Sequence, residues 1–283
     1  MTDFVMPKSD FTNAEIASVY DELSFWSSRF GALLFSHIRL QRDLNILDLG
    51  CGTGFPTFEL AHLYGSSCHV TGVDIWKEAL DRARAKLAVY GLQNVSIVEA
   101  DGAQLPFGTD EFDLIVSNLG VNNFENPAAA FSECFRVAKP SGRIVLTTNV
   151  RGHMREFYDV FRETLAGKAV YLERLEANEA HRGTKESHSH ALQVAGFRVT
   201  RAIEDAFQMR YADANALLNH SLTRIGFLGG WRSVVEPEDE VEIFAEVARR
   251  LDDIADAQGE LVMTVPMLYL EGEKPQATRQ KHK

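Results

Sequence analysis

Residues 46–54 read Ile46-Leu47-Asp48-Leu49-Gly50-Cys51-Gly52-Thr53-Gly54, an acid in an apolar run followed by three glycines at alternate positions. Glycine has no Cβ, so the chain can turn there with φ > 0 and a ligand can approach the backbone closely. The helix that opens at Phe55-Pro56-Thr57-Phe58-Glu59-Leu60 adds unpaired N–H groups at its start. Strand, glycine turn and helix in succession make a nucleotide-binding element. The spacing narrows the nucleotide. The dinucleotide pattern G-x-G-x-x-G fails in both registers, because Phe55 or Thr57 stands where the third glycine belongs. A P-loop ends in Gly-Lys-Ser/Thr, and no such ending follows.

Two further acids stand at strand ends. Asp74 closes the run Cys68–Val73, about 20 residues beyond Gly54, the offset at which a carboxylate accepts from both ribose hydroxyls. The same acid could instead cap the helix Trp76–Tyr90. Asp101-Gly102-Ala103 follows the strand Val95–Ala100, and an Asp-Gly pair is also an ordinary turn.

An acid followed by G-x-G-x-G between strand and helix resembles the first motif of the class I, Rossmann-like S-adenosyl-L-methionine (SAM) methyltransferases. The run Arg136-Val137-Ala138-Lys139-Pro140-Ser141-Gly142 before an apolar strand resembles the same family's late motif. The likeness covers about residues 44–150 and is to the small-molecule enzymes, including the quinone-methylating ("type 11") group. The Asn-Pro-Pro-Tyr/Phe motif of amino-methylating nucleic-acid enzymes is absent, since no Pro-Pro follows Asn118. The resemblance implies SAM as cofactor and S-adenosyl-L-homocysteine as product. It implies that Asp48, Gly50, Cys51, Gly52 and Gly54 cradle the methionine end. Asp101 would accept from the adenine amine, with Gly102 and Ala103 offering backbone N–H groups beside it. Ile75 and Trp76 would wall the adenine. Carbonyls at Asn118 and Leu119 would receive the methionine ammonium, and Tyr20, paired with Asp21 in sequence, would lie near the cofactor.

These residues must be held by a larger frame. Apolar residues at helical spacing from Ile16 to Ile38 read as helices folding back over the core. Strands follow at 46–49, 68–73, 95–100, 112–117 and 143–148, then at 197–202, with a possible extension to Tyr211, and at 261–270. The implied fold is α/β: a seven-stranded doubly wound sheet, mostly parallel with the last strand antiparallel, under a helical cap. The segments are 1–43, N-terminal cap helices; 44–150, the SAM-binding core; 151–212, a cap helix and the return to the sheet; 213–258, a helical insertion, with one helix over 213–227; 259–272, the last strand; and 273–283, a disordered basic tail.

In an open parallel sheet, ligands bind beyond the C-terminal strand ends, where strand order reverses. The loop after strand four therefore faces the reaction, and Asn122 and Asn123 are substrate candidates. His153 and His220 are base or substrate candidates, because imidazole titrates near neutrality. A capped helix start explains His153 equally well. No catalytic residue is assigned, since a sulfonium-activated methyl needs only positioning, water exclusion and at most a weak base.

The remaining features bound the partners. The net charge of −11 argues against broad nucleic-acid binding. Cys51, Cys68 and Cys134 lack metal or CxxC spacing and read as reduced thiols in a cytoplasmic protein. His188 and His190 diverge on a helix, and with His181 they find no carboxylate at ligand spacing, so no metal is expected. No membrane span or signal segment is expected either. The reading is a SAM-dependent methyltransferase acting on a small, partly apolar metabolite. The alternatives are a non-catalytic SAM-binding regulatory module or another SAM-type transfer, such as aminopropyl transfer. The acceptor atom and the oligomeric state are not readable from the residues.

Overall fold

The computed structural model describes residues 4–276. Its chain forms two compact units. The sheet unit comprises Ala17–Thr148, Thr184–Glu204 and Leu268–Lys283, and the helical unit comprises Met1–Ile16, Asn149–Gly183 and Asp205–Met267.

Seven strands form one sheet: β1 Asn45–Leu49, β2 His69–Asp74, β3 Val95–Glu99, β4 Phe112–Asn118, β5 Ala138–Asn149, β6 Arg198–Tyr211 and β7 Leu261–Glu273. Their order is β3-β2-β1-β4-β5-β7-β6. The pairs β1–β2, β1–β4, β2–β3 and β4–β5 are parallel. The Ser141 N–H donates to the Lys274 carbonyl and the Lys274 N–H to the Gly142 carbonyl, both at 2.9 Å, while Val150 meets Pro266. Residues ascending in β5 thus meet residues descending in β7, so the last strand is antiparallel, as the sequence implies. In β1 every residue from Ile46 to Leu49 is buried, including Asp48. Continuous burial of this kind marks a strand covered on both faces.

Helices α1 Asn13–Val19 and α2 Ser24–His37 flank a single 3-10 turn, Tyr20–Leu23. Helix α2 belongs to the sheet unit, which begins at Ala17. It buries Phe30, Leu33 and Leu34. It also lies so close to the glycine turn that a Cβ on Gly31 would fall 2.3 Å from the Phe55 ring. Helices α3 Thr57–Tyr64, α4 Lys77–Tyr90 and α5 Pro127–Val137 cover the strands. Gly91 ends α4 with φ 65°, and Asn126 Oδ1 caps α5 by accepting from the Ala129 N–H at 3.1 Å.

The helical unit carries α6 Arg155–Thr164, α7 Ala169–Ala180, α9 Ala214–Asn219, α10 Ser221–Gly226, α11 Leu228–Arg232 and α12 Pro237–Gln258, whereas α8 Lys185–Ala195 lies in the sheet unit. Its centre is aromatic. Phe157 stacks on Trp231 with ring centroids 3.8 Å apart, and Phe161 packs on Phe244 at 5.4 Å.

Several elements differ from the sequence reading. The single helix expected over 213–227 is broken, because His220 takes an extended backbone and its Nδ1 accepts from the Leu222 N–H at 3.3 Å, restarting the helix. Helix α7 shows no apolar stripe, since Leu175 is its one fully buried residue. Lys139–Gly142, ahead of the strand expected at 143–148, run within β5, with Ser141 at φ 63°. Strand β7 reaches Glu273, and Lys274 is anchored beyond it. Its ammonium donates to the carbonyls of Phe135 and Ala138 and to Asp110 at 2.7–2.8 Å. The first two lie at the negative C-terminal end of α5, where a cation is favoured. Residues 277–283 of the expected tail lie outside the described residues. Among the described residues no helix is long and apolar enough to cross a membrane.

Candidate cofactor site

Strand order reverses between β1 and β4, and the loops at their C-terminal ends meet there. Gly50, Gly52 and Gly54 have φ of 79°, 51° and 102°, in the left-handed region that glycine enters without strain. The three positions need glycine for different reasons. A Cβ on Gly50 would lie 2.9 Å from Gly120 Cα, and one on Gly120 would lie 2.7 Å from the Leu49 carbonyl oxygen. The two loops thus touch backbone to backbone. Ser117 Oγ holds them by donating to that Leu49 carbonyl at 2.7 Å. A Cβ on Gly54 would strike the Phe58 ring. At Gly52 a Cβ would meet nothing within 4 Å, so the loop presents open backbone at this point.

Asp74, at the end of β2, fixes that backbone. Its Oδ2 accepts from the Gly52 N–H at 2.8 Å and its Oδ1 from the Trp76 N–H at 2.9 Å. The sequence offered a ribose acceptor or a helix cap; the bond to Trp76 closes a local turn ahead of α4, whose start carries no side-chain cap bond. Each Asp74 oxygen keeps a lone pair for a further donor. Ile75 beside it is 69% exposed, an apolar side chain turned to solvent. The Tyr20 ring stands edge-on to Trp76 at 5.3 Å. Burial and the charge of Asp74 hold the Tyr20 hydroxyl above its usual range.

Asp48 lies beneath the loop, fully buried. Thr57 Oγ1 donates to its Oδ2 at 2.5 Å, while Oδ1 has no partner. Burial, with the nearby charge of Asp74, raises its pKa to about 7 against the opposing bond from Thr57. Cys51 is buried as well, and burial followed by the charges of Asp48 and Asp74 pushes its thiol well up, so it stays protonated. Gly72 in β2 leaves room for both Thr57 and Cys51, since a Cβ there would lie 2.9 Å from Thr57 Oγ1 and 3.0 Å from Cys51 Sγ.

Asp101 is exposed and closes its own turn, with Oδ1 accepting from the Ala103 N–H at 2.8 Å. The Ala103 N–H is therefore committed, and the Gly102 N–H is the one left for a ligand. Asn118 is buried, and its side chain accepts from Thr147 Oγ1 at 2.7 Å and donates to the Ser27 carbonyl at 3.3 Å. Leu119 sits at φ 67°, a conformation costing a non-glycine residue about 1–3 kcal/mol. Its N–H donates to the Thr147 carbonyl, and its own carbonyl accepts from Asn122. The Asn122 side chain is held by Thr148 Oγ1 at 2.5 Å, and Asn123 is exposed.

The sequence reading missed a clasp around Asp21. This carboxylate accepts from Thr53 Oγ1 at 2.8 Å, from Lys86 Nζ at 2.9 Å and from Arg82 Nε. Burial opposes its ionisation, but the bonds from Lys86, Arg82 and Thr53 outweigh that and hold its pKa down. The Tyr20-Asp21 pair was the one available signal.

His153 and His220 lie in the helical unit. His153 is 3% exposed, and burial, helped by the charge of Arg182, depresses its pKa to about 3. His220 is exposed at the α9–α10 break. His188 is half-buried in α8, and among the described residues no group of His, Cys, Asp and Glu is arranged to hold a metal.

The residues fit an adenosyl-sulfonium cofactor. They combine open backbone at Gly52, a strand-end carboxylate with lone pairs to spare, an exposed apolar side chain beside it, and two buried polar atoms without partners, Asp48 Oδ1 and Trp76 Nε1. The comparisons agree. The chain is 29% identical over 240 residues to the nocamycin O-methyltransferase of Saccharothrix syringae, covering 81% of this chain and 85% of that one. It is 38% identical over 102 residues to a demethylmenaquinone methyltransferase of Lactococcus lactis, covering 36% and 40%. A Bacillus halodurans protein of solved structure shares the fold, with a TM-score of 0.60 at 20% identity over 88% of this chain and 100% of that one. The family described as "Methyltransferase domain" matches residues 40–196, more than half of the chain. This chain belongs to that family and is a SAM-dependent methyltransferase.

Proposed function

We propose that the protein transfers the methyl group of SAM to a small, partly apolar metabolite. The observation that carries this reading is the pair Gly52–Asp74, in which open backbone and a fixed carboxylate stand together at the sheet's switch point. SAM, when bound, supplies an electrophilic methyl on a sulfonium. Asp74 accepts from the ribose hydroxyls, while its bond from Gly52 holds the loop in its bound shape. Asp101 takes the adenine amine and Gly102 offers its N–H, with Ile75 and Trp76 against the ring. Asp48, beneath the loop with Oδ1 unpaired, balances the methionine ammonium, and carbonyls of the Asn118–Leu119 turn help receive it. Tyr20 covers the adenosine side.

The chain's contribution to the transfer is positioning and exclusion of water. With SAM bound, an electron pair on an acceptor O, N, S or C would take the methyl, S-adenosyl-L-homocysteine would leave with the electrons of the carbon–sulfur bond, and any acceptor proton would pass to solvent or a weak base. The named relatives act on nocamycin and demethylmenaquinone. A mass-spectrometric screen of a metabolite extract incubated with protein and SAM tests the proposed transfer. A metabolite gaining one methyl group only with active protein supports it. Consumption of decarboxylated SAM with aminopropyl products, or SAM binding with no product under any condition, favours the alternatives.

A further inference from the structure

Arg182 follows α7, and it differs from most arginines of the helical unit. It is half-buried, yet no carboxylate and no hydrogen-bond acceptor pairs with its guanidinium among the described residues. The nearby acid, Glu179, is taken by Arg162. Burial works against its charge, and no acid compensates. An unpaired cation kept out of water is costly unless something else meets it.

Two connections bring this arginine to His153. The Arg151 N–H donates to the Gly183 carbonyl at 2.9 Å, joining the loop before His153 to the residue after Arg182. Tyr158 Oη donates to Asn178 Oδ1 at 2.9 Å, one turn before Arg182. The charge of Arg182 is felt at both His153 and Tyr158. The His153 ring lies between Tyr158 and Phe227, with centroids 5.6 Å from each, and its buried Nε2 has no partner. The corner therefore holds one unmatched cation, one unmatched imidazole nitrogen and two aromatic rings. Its chemistry is complementary to a planar oxyanion on an unsaturated or aromatic frame. A guanidinium fork accepts such a group in bidentate fashion, and a neutral imidazole in its Nε2–H form supplies a further donor.

We propose that Arg182 and His153 form a subsite that holds the carboxylate-type oxyanion of a small aromatic or unsaturated ligand.

The test uses the full chain and titration calorimetry with benzoate, with its neutral analogue benzamide, and separately with SAM. The proteins are the wild type, Arg182→Gln, Arg182→Lys and the surface control Arg84→Gln. The expected result is that the wild type and Arg84→Gln prefer benzoate to benzamide tenfold or more. Arg182→Gln reduces that preference to within twofold, and Arg182→Lys keeps part of it. SAM affinity stays within twofold in all four. The thermal midpoint of Arg182→Gln holds or rises, because a half-buried charge with no acid partner has been removed, whereas a purely structural arginine would lower it. Absence of a benzoate preference in the wild type, or its survival in Arg182→Gln, overturns the proposal. Failure of the wild type to bind SAM overturns the methyl-transfer reading instead, so the two failures are distinguishable.

Discussion

Asp21 Oδ1 accepts a hydrogen bond from Thr53 Oγ1 at 2.8 Å, across 32 residues of chain. The same carboxylate is held by Arg82 and Lys86 of α4, so the turn ahead of α2 is tied to the glycine loop and to the helix after β2. Asp21 therefore fixes the shape of the glycine loop from outside it. Replacing Asp21 by Ala is expected to weaken SAM about tenfold, the loss of about 1.4 kcal/mol that one charge-assisted bond can cause. Thr53→Val is expected to cost less. Because both changes remove the shared Asp21–Thr53 bond, the double variant should fall short of the sum, and a calorimetric double-mutant cycle reads the coupling. Strict additivity would show that the clasp does not act on the loop.

The glycines separate fold from binding. Gly50→Ala drives a Cβ onto the Gly120 backbone and should lower the thermal midpoint sharply. At Gly52 the added methyl meets no protein atom, and the left-handed backbone costs about 1–2 kcal/mol. Gly52→Ala should therefore fold and lose SAM affinity, which melting and titration on the same sample would check.

How much of this was legible follows from distance along the chain. The glycine turn was readable because a left-handed backbone at alternate positions leaves a mark on residue type. Asp74 was readable because one β-α-β unit fixes its offset from Gly54. Asp21 lies 32 residues before its partner, and only packing of α2 on the glycine turn brings the two together. Helix α7 was missed because its one fully buried residue, Leu175, makes no stripe. Lys274 looked like the start of a solvated basic tail because the carbonyls it caps belong to α5, far away in sequence.

Asp48 and His153 should tilt the pH dependence of stability in opposite directions. The folded pKa of Asp48 is raised to about 7, so its contribution is present below the unfolded carboxylate value and is lost as pH rises towards 7. The folded pKa of His153 is depressed to about 3, so its contribution is present above the unfolded imidazole value and is lost as pH falls from there towards 3. Urea unfolding between about pH 4 and pH 7 should show Asp48→Asn gaining relative stability as pH rises. His153→Phe should gain as pH falls. The reverse order would contradict both assignments.

If Asp48 balances the methionine ammonium, SAM binding favours its ionised form and releases a proton below about pH 7. Affinity should then rise between about pH 5.5 and 7.5, and the heat of binding should depend on the buffer's ionisation enthalpy. Asp48→Asn should flatten both effects. An unchanged pH profile in that variant would assign the charge balance elsewhere.

Titration of SAM into the wild type, Asp74→Ala and Asp74→Asn tests the central claim most directly. One SAM per chain is expected for the wild type, with a loss of about tenfold to a hundredfold for Asp74→Ala and partial retention for Asp74→Asn. Absence of binding to the wild type, or equal binding by all three proteins, would contradict it.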